Sequence, residues 1–129
     1  ALLRQVGAAS QDAGRTMPVC VEVNIGGEGS KYGLAEAEVE GVVAAGNELG
    51  RIEVRGLMAI PPVAEEPEAS RPFFSKLREI RDRVRGNTGV ELRELSMGMS
   101  HDFEVAVEEG ATMIRVGTIL FGKREANKT

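Results

Sequence analysis

Two short segments in the C-terminal third of the chain carry residue types that hold a phosphate. Ser96-Met97-Gly98-Met99-Ser100 and Arg115-Val116-Gly117-Thr118 each combine glycine with hydroxyl side chains. Glycine lets an anion approach backbone N–H groups closely, and a hydroxyl adds a donor that can rotate toward it. Taken singly, a Ser-x-Gly segment is often only a turn, and Gly-Thr after a strand often only opens a helix. Two such segments at the ends of consecutive strands, with Arg115 between them, make a shared anion site the working expectation.

The surrounding pattern supplies those strands. Residues 2–13 read as a helix with Leu2, Leu3, Val6, Ala9 and Ala13 on one face. Val19 to Ile25 alternates, with Val19, Val21, Val23 and Ile25 on one side and Cys20, Glu22 and Asn24 on the other, the mark of a strand. Gly26 to Ser30 reads as a flexible turn. A helix over 35–49 buries Val39, Val42, Val43 and Leu49 and stops at Gly50. Ile52 to Ile60 is a strand ended by Pro61-Pro62. Glu65-Glu66-Pro67-Glu68 reads as a solvated loop. A third helix starts near Ser70 with Pro72 in its first turn, carries Phe74, Leu77, Ile80 and Val84 as its stripe, and closes at Gly86. A strand from Glu91 to Met97, a helix over 100–109 with Asp102 and Glu104 in its first turn, and a strand over 112–116 complete the chain.

Strands alternating with helices imply right-handed crossovers and a parallel sheet. Four such strands are half of a (β/α)8 barrel of the TIM type, which takes ~250 residues in full. The fold class expected is therefore α/β, with residues 1–129 forming a single C-terminal half-barrel. If the strands are numbers five to eight, the glycine segments lie after strands seven and eight, where barrels of this type bind phosphate. Arg115 alternates with Ile114 and Val116; with those two packed on helices, its guanidinium points into the barrel.

Composition narrows the function. Acidic residues outnumber basic ones, 20 to 16, for a net charge of -4, and Trp is absent, which argues against a nucleic-acid surface. The single cysteine, Cys20, lies in an apolar run and reads as a buried structural thiol in a reducing, cytoplasmic setting. No apolar run approaches the ~20 residues of a membrane span, and no secretory signal opens the chain. A start without Met suggests a fragment, a processed product or an incomplete sequence. His101 is the only histidine and has no companion cluster, so no metal site is expected. No Gly-x-Gly-x-x-Gly or Walker-type loop occurs. Glu22 and Asn24, on the inward face, fit either acid–base groups or polar barrel filling.

Ser96-Met97-Gly98-Met99-Ser100-His101-Asp102, then Met113-Ile114-Arg115-Val116-Gly117-Thr118 and Phe121-Gly122, resemble the signature of the pyridoxal-phosphate homeostasis family. Asn24-Ile25, Ser30-Lys31-Tyr32-Gly33 and Arg55-Gly56-Leu57-Met58-Ala59-Ile60-Pro61 recur there in the same order, so the resemblance runs from about Val19 to Arg124. It implies a barrel like the N-terminal domain of alanine racemase that binds pyridoxal 5′-phosphate without an established catalytic activity. By that resemblance Ser96 and Gly98, with the backbone of Gly117 and Thr118, hold the phosphate. Arg115 would face the pyridine nitrogen and keep it unprotonated, which weakens the cofactor as an electron sink. Asn24 and Met58 would line the ring.

The family's covalent lysine belongs to the first barrel strand, and the lysines of this sequence are Lys31, Lys76, Lys123 and Lys128, none on a strand. The expectation is a non-enzymatic protein that buffers and delivers pyridoxal phosphate. The alternatives are a racemase-like enzyme, for which Tyr32 is the only tyrosine available, and a half-barrel with no ligand of its own. Open strand edges and an uncovered inner face also predict a homo-oligomer.

Overall fold

The computed structural model describes residues 2–26 and 33–117. Helix α1 (Leu2–Asp12) precedes strand β1 (Met17–Glu22); then come α2 (Glu36–Glu48), β2 (Ile52–Met58), α3 (Arg71–Thr88), β3 (Glu94–Met99), α4 (Phe103–Glu108) and β4 (Met113–Arg115). All strand pairings are parallel, and spatial order equals chain order, β1-β2-β3-β4. A doubly wound sheet reverses direction at a switch point, whereas a barrel winds one way throughout. The unreversed order is that of a partial (β/α)8 barrel, as the alternation of elements led us to expect.

One face of this sheet is covered by helices. The α3 stripe reads as the sequence suggested: Phe74, Leu77, Ile80 and Val84 are all buried. They join Val39 and Val43 of α2, Leu57 of β2 and Leu95 and Met97 of β3 in one cluster, every one of them at 0–1% exposure. Ionic contacts tie the helices together outside this core. Glu36 of α2 receives Lys76 and Arg83 of α3, while Arg71 and Arg78 of α3 reach Glu109 at the end of α4.

Several local expectations are corrected. Helix α1 buries Gly7 and Ser10, with Leu3 and Val6 partly covered, while Leu2 is 71% exposed. Gly7 lies on the contact face, with Ile52 Cδ1 3.4 Å from where a Cβ would sit. Helix α2 ends at Leu49 in extended conformation, and the left-handed position falls on Arg51 (φ 70°), not on Gly50. Helix α3 runs through Gly86 to Thr88 and closes at Gly89, whose φ of 75° is the left-handed cap geometry glycine favours. The acidic loop is partly ordered: Pro67–Ser70 forms a 3-10 turn in which Glu68 binds Arg71. Helix α4 starts later than expected, so Asp102 is its N-cap residue and not part of its first turn. Ile114 is 37% exposed and not fully covered by any described helix.

The other face of the sheet is polar and open. Cys20, Glu22, Asn24 and Met58 are half-buried, and Glu53 and Arg55 are exposed and paired with each other at 3.0 Å. Cys20 is thus only partly covered, not the buried thiol expected; that cover still pushes its pKa up, Glu94 adding to the rise and Arg55 opposing it. Register slips by one residue between β1 and β2 at Arg55, so Val19 faces Val54 but Cys20 faces Gly56. Among the described residues no helix is long and apolar enough to cross a membrane.

Candidate functional site

The strand register brings the candidate residues to one level. Glu22 pairs with Met58, Met58 with Ser96 and Ser96 with Met113, so a single line crosses all four strands, through the last residues of β1 and β2, the middle of β3 and the first residue of β4. Asn24 continues β1 beyond that line. Its N–H donates to Leu34 O at 2.9 Å, and Gly33 (φ 91°) folds against it so tightly that a Cβ there would lie 2.7 Å from the Asn24 nitrogen.

At the β3–β4 end of the line, Arg115 reaches back across the sheet. Its Nη1 donates to Ser96 Oγ at 2.9 Å, and Ser96 is 8% exposed. The other two guanidinium nitrogens, Nε and Nη2, are buried and have no hydrogen-bond partner among the described residues. A buried N–H left without an acceptor costs about 1–3 kcal/mol, more for a charged group, so such donors mark a place where a ligand can supply acceptors. Beyond β4, no described residue lies within 4 Å of the Cβ position of Gly117.

Gly98 has a different reason to be glycine. Its φ is 106°, and a Cβ would fall 2.7 Å from Ala106 Cβ and 3.2 Å from Ile114 Cγ2. The space beside it is filled by α4 and β4, so packing and backbone conformation, not ligand approach, require glycine there. The turn after it is fixed by Asp102, which sequence reasoning placed in a helix. Its carboxylate, 4% exposed, accepts the Met99 N–H at 2.8 Å and lies 3.4 Å from His101 Nε2. The Met99 amide is therefore already engaged. An acidic residue three positions after a turn amide is the spacing of a side-chain-capped turn, and that signal was available in the sequence. Thr112 was also missed: its Oγ1 accepts the Leu95 N–H at 2.8 Å and so joins the start of β4 to β3.

Ser96, Gly98, Arg115, Met58 and Asn24 thus share the strand ends, and Gly117 follows β4. Thr118 lies outside the described residues, as do Lys31, Tyr32, Lys123, Lys128, most of the Gly26–Ser30 turn and Phe121-Gly122. Lys76 is far from this chemistry on α3, 54% exposed and paired with Glu36 at 3.3 Å. No group of three or more metal-ligating side chains occurs among the described residues. The donor set of one guanidinium and one hydroxyl suits a ligand that brings hydrogen-bond acceptors, such as an oxyanion.

A partial β/α barrel with an arginine and a hydroxyl at its strand ends defines the class, and sequence comparison supplies the family. The model of the alanine racemase N-terminal domain matches residues 1–125, and the chain belongs to that family. Within it, the chain is 52% identical over 107 residues to the pyridoxal phosphate homeostasis protein of Aquifex aeolicus, covering 83% of this chain and 47% of that protein. The protein of the same name from Escherichia coli K12 is 41% identical over 115 residues, covering 85% and 47%. The chain spans about half the length of the curated relatives it matches. Among solved structures, PipY of Synechococcus elongatus with pyridoxal phosphate bound superposes with a TM-score of 0.84 at 32% identity, over 94% of this chain and 56% of that one. Alanine racemase from Corynebacterium glutamicum shares the fold, with a TM-score of 0.67 at 23% identity over 85% of this chain and 30% of the other.

Proposed function

We propose that this chain supplies the phosphate-holding end of a pyridoxal 5′-phosphate site and acts in storage and delivery of the cofactor, not in catalysis. The observation that carries this reading is the Arg115–Ser96 pair, with two further guanidinium nitrogens that have no acceptor among the described residues. The names of the relatives and the cofactor bound to PipY support it.

In this reading Ser96 and the backbone of Gly98, Gly117 and Thr118 hold the phosphate, and Asn24 and Met58 flank the ring. The free edge of Arg115 faces the pyridine nitrogen. A guanidinium donates and cannot accept, so it holds that nitrogen unprotonated. The cofactor's chemistry when bound is electron withdrawal through its ring, and an unprotonated nitrogen weakens it, which suits a carrier. None of the lysines in this sequence is taken to bond the cofactor covalently. Residues 1–129 act as one half-barrel unit in a reducing, cytoplasmic compartment, without nucleic acid or membrane as partner. The open inner face, flanked by exposed Met17, Ile60 and Met113, is covered by a second copy of the chain.

Without a covalent bond, affinity should be on the order of millimolar, about 4 kcal/mol. An absorbance titration of pyridoxal phosphate should show saturable binding in that range. Borohydride treatment should leave no single dominant modified lysine; stoichiometric labelling at Lys31 would overturn the non-covalent reading. Light scattering that finds a monomer at high micromolar concentration would remove the second copy.

A further inference from the structure

We propose that Arg115 is a positioning residue for the phosphate end of the site, acting through the Ser96 hydroxyl, in addition to any contact with the ring. This rests on the phosphate reading given above.

The chemistry follows from what each group can do. A guanidinium has five N–H donors and no acceptor, so in the Arg115–Ser96 contact the serine oxygen must accept. The hydroxyl's single hydrogen is then turned away from Arg115. Among the described residues Ser96 Oγ has no other hydrogen-bond partner, and at 8% exposure it has little access to water. Its hydrogen is left for an acceptor entering at the strand ends. A hydroxyl that accepts a charge-assisted bond is itself a stronger donor, because successive hydrogen bonds polarise one another.

The register makes this arrangement specific to the end of the sheet. Ser96 pairs with Met113 and Met99 with Arg115, with the ladder irregular between Ser96 and Met99. That irregularity lets a residue two positions further along β4 bring its side chain back to Ser96. The contact uses Nη1 alone, while Nε and Nη2 have no partner among the described residues. One arginine therefore serves both ends of a ligand: one nitrogen orients the phosphate donor, and the remaining two meet the ring.

Inorganic phosphate separates these roles, since it has no pyridine nitrogen to read. The test is a titration of the full chain with inorganic phosphate, followed by the amide resonances of Gly98 and Gly117, in wild type, R115Q, S96A and the double variant. Both single variants should bind roughly fivefold more weakly, the worth of about one hydrogen bond. The double variant should bind no more weakly than S96A alone, because the arginine has lost the group it acts through. If R115Q weakens phosphate by the same factor with and without Ser96, the arginine acts only as a distant charge and the proposal falls. If R115Q leaves phosphate affinity unchanged, its role is confined to the ring and the proposal also falls. A wild-type chain that gives no response to phosphate would instead sink the phosphate reading itself, and this proposal with it. Should R115Q fold poorly, R115K keeps a charged donor. Its affinity should exceed that of R115Q only when Ser96 is present, and an equal gain in the S96A background would contradict the proposal.

Discussion

The helix-covered face of the sheet and its strand ends are built by opposite means. On the covered face many apolar side chains do one job together: Phe74, Leu77, Leu57, Leu95 and Met97 are all at 0% exposure and pack in one cluster. At the strand ends a few polar groups each do a separate job, and two nitrogens of Arg115 have no partner among the described residues. A packed core spreads its stabilisation over dispersion and burial, whereas a site concentrates it in individual hydrogen bonds and keeps some unmade for a ligand. Substitutions on the covered face should therefore change stability, and those at the strand ends should change binding.

The largest expected effect is on the covered face. Leu77→Ala should cost about 2–5 kcal/mol through lost burial and the cavity left behind. Chemical denaturation would show it as a lower midpoint, and a loss under 1 kcal/mol would mean that the cluster is not the shared core described here.

Asp102 lies between the two regimes. Asp102→Ala leaves the Met99 N–H without its acceptor and should cost about 1–3 kcal/mol. Asp102→Asn keeps an acceptor and should recover much of that loss. Hydrogen exchange at the Met99 amide would check it directly, with faster exchange in the alanine variant and near-native protection in the asparagine variant.

The ion pairs over α3 and α4 should matter less, and in a pH-dependent way. Arg71 holds the Glu109 carboxyl below the usual carboxylate range by a hydrogen bond, with burial opposing and Arg78 adding to it. A carboxyl whose folded pKa is depressed contributes stability above its unfolded pKa and loses it as pH falls through the folded value. Thermal melts should fall as pH drops below the ordinary glutamate range, and Glu109→Gln should flatten that slope. An unchanged slope would show that the pair contributes nothing measurable.

The smallest effect should come from His101→Ala. The side chain is 47% exposed, and its polar contact among the described residues is the 3.4 Å one to Asp102. Stability and phosphate response should both stay near wild type. A clear loss of phosphate binding would make His101 part of the site.

The same contrast explains what the sequence revealed. The α3 stripe and the strand alternation were legible because burial repeats at the period of the element, so each residue reinforces its neighbours' signal. Boundaries were not, because they turn on single backbone conformations: Gly86 and Gly89 look alike in sequence, yet only Gly89 takes the left-handed cap. At the site, grouping Ser96 with Arg115 was readable from two glycine segments after consecutive strands. Their direct hydrogen bond was not, since it depends on the ladder irregularity between Ser96 and Met99. Gly98 shows the converse: its type was read correctly as special, but what requires glycine there is the packing of Ala106 and Ile114, which the sequence does not display.

The claim that the ends of β3 and β4 hold the phosphate of pyridoxal phosphate is tested most directly by following backbone amides during titration with that cofactor, with phosphate-free pyridoxal as the control. Pyridoxal phosphate should shift Gly98, Gly117 and Thr118, pyridoxal should leave them nearly unmoved, and Thr118→Glu should abolish the response by charge repulsion. Shifts gathered at residues 26–30 instead, with Gly98 and Gly117 silent, would assign the phosphate to that glycine-rich stretch of sequence and contradict the account.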